Sequence, residues 1–585
     1  MPTYKVDERD VQFNLFEYLN IGALSEYERF KDYNEEVYKM VVTEALKFAK
    51  NELDPLYVSG DREQCQINDG VVSAPKGYLE AYKKMGENGF IGIDTPVTYG
   101  GQGLPVAMAT AVGEFMIGAN VAFSLYSGLT RGSSYLIENF GTEELAKRYC
   151  EKMYNGTWTG TMCLTEPQAG TAVGEVKTVA KLNDDGTYNI VGNKLFITGG
   201  DHNLTENIIH LVLARVEGDV PGTKGLSLFI IPKVWVNDDG SLGDSNDVSC
   251  VNIEHKMGIK ASATCTLNFG ENGKCRGYLL GEQTKGMRIM FKLMNEARLM
   301  TGMQGMAIAG SAYENSLTFA KERIQGGDTA IVDYPDVRRN LTLSRAYAEG
   351  MRALLYYTGK CIDLSEVHPD EEQREYYLNR VDLLTPICKA YCTDVGFKVT
   401  ELAIQIHGGY GYCSEYPVEQ HMRDVKIASL YEGTNGVQAM DLMGRKLALK
   451  NGQLFREYYE EVTKFATQHE GHATLSTEIA SLKKAMDTVA QVAMKIAEWG
   501  MGGDKEKCLM SATPFLELCG HATLGYLLLD QAVLAAKTIA DGKDEAFYRN
   551  KVRTAKFFAY HIMPGVQMRA KEILSEDMSA MEMEY

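Results

Sequence analysis

Apolar positions divide the chain into three stretches of different period. Between about residues 34 and 155, Val37, Met40, Val41, Ala45, Leu46 and Ala49 recur at helical spacing. Pro96-Val-Thr-Tyr-Gly-Gly-Gln-Gly103 interrupts that pattern and reads as a loop. From about residue 160 to 280 short alternating or β-branched runs take over: Tyr188–Val191, Ile208–Val216, Leu226–Val236, Ser249–Ile253 and Ala263–Phe269. Asn183-Asp-Asp-Gly186 and Asn237-Asp-Asp-Gly240 supply Asp-Gly turns between them. No helix-length period separates these runs, which predicts an antiparallel β domain and not a βαβ dinucleotide fold. From about residue 286 onward the period is helical again.

Gly286–Gly326 lacks proline and carries Met287, Met290, Met294, Met300, Met303 and Met306 among its apolar positions. This stripe reads as core packing in a helical bundle rather than as a cofactor box. Gly302, Gly305 and Gly310 sit in the same helix at a cost of about 1 kcal/mol each, which close helix–helix approach explains. A polar stretch at Lys450–Gln453 precedes a further helical segment, 454–576, and an acidic, Met-rich tail, Glu576–Tyr585, expected to fray.

Composition narrows this picture only slightly. The 585 residues suffice for a large core without disulfide or metal staples. Against 78 Asp and Glu stand 60 Lys and Arg, so the net charge of −18 disfavours a nucleic-acid backbone as partner. The 12 cysteines form no Cys-x-x-Cys pair, and Cys388/Cys392 has helical spacing with no matching ligands, so reduced thiols are expected and no metal site. The charged start MPTYKVDERD and the lack of a run of about 18 apolar residues predict neither secretion nor a membrane span, hence a cytoplasmic protein.

Four segments carry candidate chemistry. Leu430-Tyr-Glu-Gly-Thr-Asn-Gly-Val-Gln438 sets a carboxylate, Glu432, before a turn-prone Gly433-Thr434 pair, after which a helical pattern resumes. Thr434 or Asn435 suits the cap of that helix, and its free N–H groups suit an anionic group. The same residues also suit an ordinary capping or surface glutamate. Leu164-Thr-Glu-Pro-Gln-Ala-Gly-Thr171 falls where the helical part gives way to strands. In Asn193-Lys-Leu-Phe-Ile-Thr-Gly-Gly200, an aromatic and a hydroxyl suit stacking on a planar ring, or plain strand alternation. In Gln405-Ile-His-Gly-Gly-Tyr-Gly-Tyr412 the glycines allow close backbone approach, while His407 alone reads as a core or helix-end histidine.

Taken together and in order, Leu164-Thr-Glu-Pro167, Phe196-Ile-Thr198, Arg323-Ile-Gln325, Gln405-Ile-His-Gly-Gly-Tyr-Gly411 and Tyr431-Glu-Gly-Thr434 resemble the acyl-CoA dehydrogenases. The resemblance covers residues 35–450, and the added helical segment looks like the larger subgroup similar to 3-(methylthio)propanoyl-CoA dehydrogenase. It implies an α+β fold: an N-terminal extension (1–35), an N-terminal helical domain (36–160), a middle antiparallel β domain (161–283), a four-helix bundle (284–450) and an extra C-terminal helical domain (451–585).

It also implies an FAD-dependent oxidoreductase of β-oxidation. Glu432 would remove the α proton of an acyl-CoA thioester while the β hydride leaves to flavin N5. Its own backbone N–H would help polarise the thioester carbonyl. By the same resemblance Thr165 hydrogen-bonds the flavin ring system, Phe196 replaces a tryptophan that packs on it, and Thr198 lies near N5. Gly170 and Thr171 lie near the pyrophosphate, and Thr434 also belongs to the cofactor set. Arg323, Gln325, Gln405, Gly408 and Gly409 reach the FAD of a neighbouring subunit, implying a homodimer or homotetramer. Asn295 and Arg298 contact the CoA of the substrate. The base position used by other family members falls on Ala297, and Glu296 is rotated about 100° from it.

Two family signatures are altered: Gly170-Thr-Ala172 lacks an aspartate, and Thr198-Gly-Gly200 lacks an asparagine. Electrons are expected to pass to an electron-transfer flavoprotein. An acyl-CoA oxidase using oxygen, or a non-dehydrogenase flavoprotein of the same fold, would show the same residues. A nucleic-acid-binding version would need a basic added domain, whereas 451–585 is charge-mixed.

Overall fold

The computed structural model describes residues 3–543 and 545–585. They form two compact units. The first takes in Met40–Leu104 and Phe115–Met300; the second takes in Tyr4–Lys39, Pro105–Glu114 and Thr301–Tyr585.

The first unit is built on an eight-stranded sheet. Its strands are β1 (Trp158–Cys163), β2 (Val179–Leu182), β3 (Tyr188–Thr198), β4 (Asn207–Val216), β5 (Leu226–Pro232), β6 (Val248–Ile253), β7 (Thr264–Phe269) and β8 (Arg276–Leu280). The order is β6-β7-β3-β8-β5-β4-β1, with β2 against β3 and β4. Antiparallel pairing dominates, as the turn signals predict, but β4 runs parallel to both β1 and β2. The sheet is therefore mixed. These parallel partners are distant in sequence, so no local pattern announces them.

Strands β4 and β5 are apolar nearly throughout because both faces are covered. Ile209, Leu211 and Leu213 join Leu145, Tyr149 and Met153 of the helix Glu143–Tyr154 on one side. Val212 and Ala214 join Phe229, Leu267 and Phe269 on the other. That helix is capped at its start, the Thr142 side chain accepting from Leu145 N at 3.3 Å.

The second unit is helical. Its longest members are Pro335–Val367, Ser476–Gly502 and Lys505–Ala540. A Cβ at Gly302 or Gly305 would strike the carbonyl oxygen of Cys388 or Cys392, so these glycines let two helices meet backbone to backbone. At Gly310 the nearest atom, Arg352 Nη2, is an ordinary 3.5 Å away. Met306 is fully buried, in keeping with the packing role read from the methionine stripe.

The N-terminal segment is tied into the C-terminal helices. Phe13 packs edge-on against Phe547 at 5.4 Å, and Asn14 Oδ1 accepts from Gln531 Nε2 at 2.6 Å. Asp10, completely buried, lies between Arg352 (2.6 Å) and Lys551 (2.8 Å), while Lys551 also reaches Glu349 at 2.8 Å. Arg352 Nε contacts Glu114 at 3.0 Å.

By length and composition alone, Val106–Phe140 and Lys505–Ala540 would suffice to cross a membrane. The most apolar windows of the two are 78% and 83% buried within the protein.

Candidate active site

The predicted residues divide between the units. In the first unit Thr165 lies in the loop after β1, and its carbonyl accepts from Leu195 N of β3 at 2.9 Å. The adjacent Glu166 explains why that loop holds its shape. Lys194 Nζ donates to Glu166 Oε1 at 2.9 Å and to Leu164 O at 3.1 Å. Thr178 Oγ1 and Lys177 N donate to the same carboxylate at 2.6 and 2.7 Å. Burial opposes ionisation of Glu166. The Lys194 charge and these hydrogen bonds prevail, holding its pKa down at about 2. Glu166 and Lys194 are both buried, so the pair is an internal staple for the loop that carries Thr165, and no local pattern in either segment announces the pairing.

Strand β3 departs from simple alternation at the predicted ring platform. Opposite β7 the pairing jumps from Cys265–Ile197 to Leu267–Lys194. The extra residue forms a bulge. Phe196 takes up φ of 60° there and remains 58% exposed, whereas Ile197 is buried. An exposed ring on strained backbone, with the half-buried Thr198 on the same strand and Thr165 on the loop bonded to it, suits a planar heteroaromatic ligand. Gly170 and Thr171 are exposed beyond the Glu166–Ala169 bridge.

Asn295 and Arg298 are brought together, with Arg298 Nη1 donating to Asn295 Oδ1 at 3.1 Å. Glu296 is indeed turned elsewhere: Arg131 Nη1 reaches its Oε2 at 2.8 Å and bonds Asp94 through Nε at 2.6 Å. Ala297 is buried.

In the second unit Arg323, Gln325, Gln405, Gly408 and Gly409 are all exposed. The Arg323 guanidinium lies 5.3 Å from the Tyr410 ring and contacts Gln325 Oε1 at 3.4 Å. His407 is the helix-end histidine the sequence suggests. It stacks on Phe319 at 4.3 Å, its Nδ1 lies 2.8 Å from Ala403 O, and burial lowers its pKa.

Glu432 occupies a turn between the Lys426–Ser429 turn and the short helix Asn435–Asp441. It is half-buried with φ of 59°, and Gly433 follows at 82°. Consecutive left-handed residues are costly when one carries a Cβ, so the flanks must hold them. Before Glu432, Tyr431 OH donates to the buried Gln304 Oε1, and burial pushes the phenol pKa up. After it, Thr434 is the helix cap, accepting from Val437 N at 3.3 Å. Asn435 does not cap. Its Nδ2 lies within hydrogen-bond reach of Asp394 Oδ1 (2.7 Å), Thr393 Oγ1 (2.9 Å) and Ala390 O (3.1 Å), which share its two N–H donors, and its Oδ1 accepts from Lys389 Nζ at 2.7 Å. The arrangement holds the backbone of a half-buried glutamate by side chains on either side, which suits acid–base chemistry.

Family models match in four consecutive blocks: acyl-CoA dehydrogenase N-terminal domain at 35–157, middle domain at 161–271, C-terminal domain at 284–447, and acetyl-CoA dehydrogenase C-terminal like at 458–584. Butyryl-CoA dehydrogenase of Syntrophomonas wolfei subsp. wolfei is 36% identical over 99% of this chain and 98% of its own length. 3-Methylmercaptopropionyl-CoA dehydrogenase of Ruegeria pomeroyi is 36% identical over 96% of each. An acyl-CoA dehydrogenase from Bacillus anthracis, solved in complex with FAD, shares the fold with a TM-score of 0.77 at 24% identity, covering 96% of this chain and 92% of its own.

Proposed function

The chain belongs to the acyl-CoA dehydrogenase family, and from that premise we propose that it performs the FAD-dependent α,β-dehydrogenation of an acyl-CoA thioester with Glu432 as the base. The observation that carries this reading is the Glu432 turn: a half-buried carboxylate on left-handed backbone, with Tyr431 and Asn435 anchored on either side.

The first unit fits a flavin, because an exposed aromatic side chain at Phe196 and half-buried hydroxyl residues at Thr165 and Thr198 lie on β3 and on the loop bonded to it. When bound, FAD supplies the acceptor for the β hydride. The chain supplies the rest. Glu432 takes the α proton, and its backbone N–H donates to the thioester carbonyl oxygen, which acidifies that proton. Phe196 would pack on the ring, Thr165 and Thr198 would orient it, Gly170 and Thr171 would lie near its pyrophosphate, and by the family resemblance Thr434 would also belong to the cofactor set. Asn295 and Arg298 meet the CoA. Closing the site over substrate removes water and raises the basicity of the Glu432 carboxylate.

Arg323, Gln325, Gln405, Gly408 and Gly409 form the exposed group that would reach the FAD of a second subunit, so the active form is at least a homodimer. Electrons pass to an electron-transfer flavoprotein, a reading supported by the dehydrogenase names of both relatives. Their names also make short linear thioesters the first to test. In an anaerobic screen of CoA thioesters, one member should bleach the flavin, and Glu432→Gln should keep FAD bound while losing about 10²–10⁴-fold of that rate. Normal turnover in that variant would remove Glu432 from the role. Rapid reoxidation of the reduced enzyme by oxygen would favour an oxidase.

A further inference from the structure

The altered Thr198-Gly-Gly200 signature is matched by Tyr126, a residue of the same unit. Gly199 follows the last residue of β3, with φ of 60°. Asparagine tolerates a left-handed φ, so the conformation alone does not demand glycine. The surroundings do: a Cβ at this position would lie 3.2 Å from Cδ1 of the Tyr126 ring, closer than side chains ordinarily pack. The ring therefore takes up the space where the signature's asparagine would begin. Tyr126 is buried, and its ring also meets His202 edge-on at 5.1 Å. We propose that Tyr126 is a positioning residue for the flavin end of β3, filling the place of the side chain missing at position 199. The inference rests on the flavin lying against Phe196 and Thr198.

The hydroxyl is as fully engaged as the ring. Tyr126 Oη donates to Ala261 O at 3.3 Å and accepts from Ala263 N at 3.0 Å. Cys65 Sγ lies 3.6 Å from the same oxygen. Burial pushes the phenol pKa up, so the proton stays on the oxygen and remains available to Ala261. Ala261 and Ala263 are themselves buried, so the hydroxyl pairs a backbone acceptor and a backbone donor away from water. The Ala263 carbonyl accepts from Gly199 N at 2.8 Å, and the next residue, Thr264, pairs with Thr198 across the sheet. One side chain thus bears directly on both sides of the point where β3 leaves the sheet. Its ring packs on Gly199, and its hydroxyl holds the segment opposite.

Removing the hydroxyl does not unzip β3, because the ladder to β7 and the Gly199–Ala263 bond remain. It leaves the buried Ala263 N–H without that acceptor, a cost the segment opposite Gly199 relieves by shifting. Removing the ring as well empties the space beside Gly199, and a glycine backbone is free to move into it. Thr198 is the neighbour of Gly199, and Phe196 stands two residues further back on strained backbone. A small shift at Gly199 therefore reaches the residues read as the flavin's neighbours. A displacement near 1 Å at a reacting group costs up to about 100-fold in rate, so the loss should be read in the flavin and its reduction rather than in substrate binding.

The test uses FAD-loaded holoenzyme. It reads the visible absorption band of the oxidised flavin and the rate of anaerobic bleaching by butyryl-CoA, both per bound flavin. Tyr126→Phe should move the band and slow bleaching about 10-fold, and Tyr126→Ala about 100-fold, with the dissociation constant for butyryl-CoA unchanged. Gly199→Asn should be damaging beside the wild-type ring and far less so in Tyr126→Ala, where the space is free, so the two losses should fall short of additive. A lower melting temperature with the band and rate of the wild type would mean that Tyr126 only stabilises the fold, and would overturn the proposal. So would additive losses from Tyr126→Ala and Gly199→Asn. If Tyr126→Ala does not fold, Tyr126→Phe decides by the same band and rate. Phe196→Ala, run alongside, separates the two levels. If it leaves the band unmoved, the flavin does not lie on β3, and the cofactor reading falls and the proposal with it. If it moves the band while the Tyr126 variants do not, the proposal alone falls.

Discussion

Two short segments, one in each unit, hold a strained residue outward with the help of a buried lysine, but they do so differently. Around Thr165 and Phe196, Lys194 pairs directly with the buried Glu166, and the strained Phe196 sits on a sheet bulge. Around Glu432, Lys389 donates to the Asn435 amide beside Asp394, and the strained residue lies in an irregular turn. The first arrangement suits a platform that must not move and carries no reacting charge. The second fixes a turn by side-chain hydrogen bonds on both sides of its strained residue. An ion pair stiffens but also titrates its partner; an amide stiffens without doing so. Strong pKa perturbation marks the scaffold at Glu166, where the Lys194 charge outweighs burial.

The comparison is broken hardest at Lys194. Lys194→Met leaves Glu166 as a buried carboxylate without its cation, which should destabilise the first unit by about 3–5 kcal/mol. Urea denaturation followed by flavin release would measure it. Adding Glu166→Gln should recover part of that loss, since no charge then remains buried. If the double variant is instead as unstable as the sum of the single ones, the pair is not a coupled staple.

Acidification should separate the segments more gently. Glu166 holds its pKa at about 2 against 4.5 for a free glutamate. Its folded pKa is depressed, so the stability it contributes is complete above about pH 4.5 and is lost as the pH falls toward 2. The urea midpoint of the wild type should therefore drop across that window, and the drop should be smaller in Glu166→Gln. An identical pH profile in both would place the acid sensitivity elsewhere.

At the other segment, Tyr431→Phe leaves the buried Gln304 oxygen without its donor. The expected cost is about 1–3 kcal/mol. Flavin reduction should slow with it, while the Glu166 pH window stays where it was.

The five motifs of the site were legible because each keeps its chemistry within a few consecutive residues. Their supports were not. Lys389 reads as one more polar position in a helical run, where lysine is normally solvated, and nothing local announces a π-helical turn or an asparagine forty-six positions later. Glu166 was visible within Leu164-Thr-Glu-Pro167, but its partner lies on another strand. The helical and strand regions followed from periodicity. Strands β1, β2 and β8 did not. Trp158–Cys163 is rich in threonine and glycine, and Val179–Leu182 is only 4 residues long. The N-terminal extension gave no sign that Asp10 and Phe13 would be locked among Arg352, Lys551 and Phe547, since that packing depends on residues hundreds of positions away.

The smallest effect is the one that best sharpens the contrast. Thr434 has two readings: it is the cap of Asn435–Asp441, and the resemblance assigns it to the cofactor. Thr434→Ala removes both and should cost about 1 kcal/mol from the cap alone. Glycine is a far better cap than alanine and costs only a few tenths of a kcal/mol, yet it also lacks the hydroxyl. If FAD affinity, measured by flavin fluorescence on dilution, falls equally in Thr434→Ala and Thr434→Gly while only alanine lowers the melting temperature, the hydroxyl serves the cofactor. If affinity follows stability, Thr434 only ends the turn that carries Glu432, and the base segment contributes its carboxylate without a side-chain hydroxyl for the flavin.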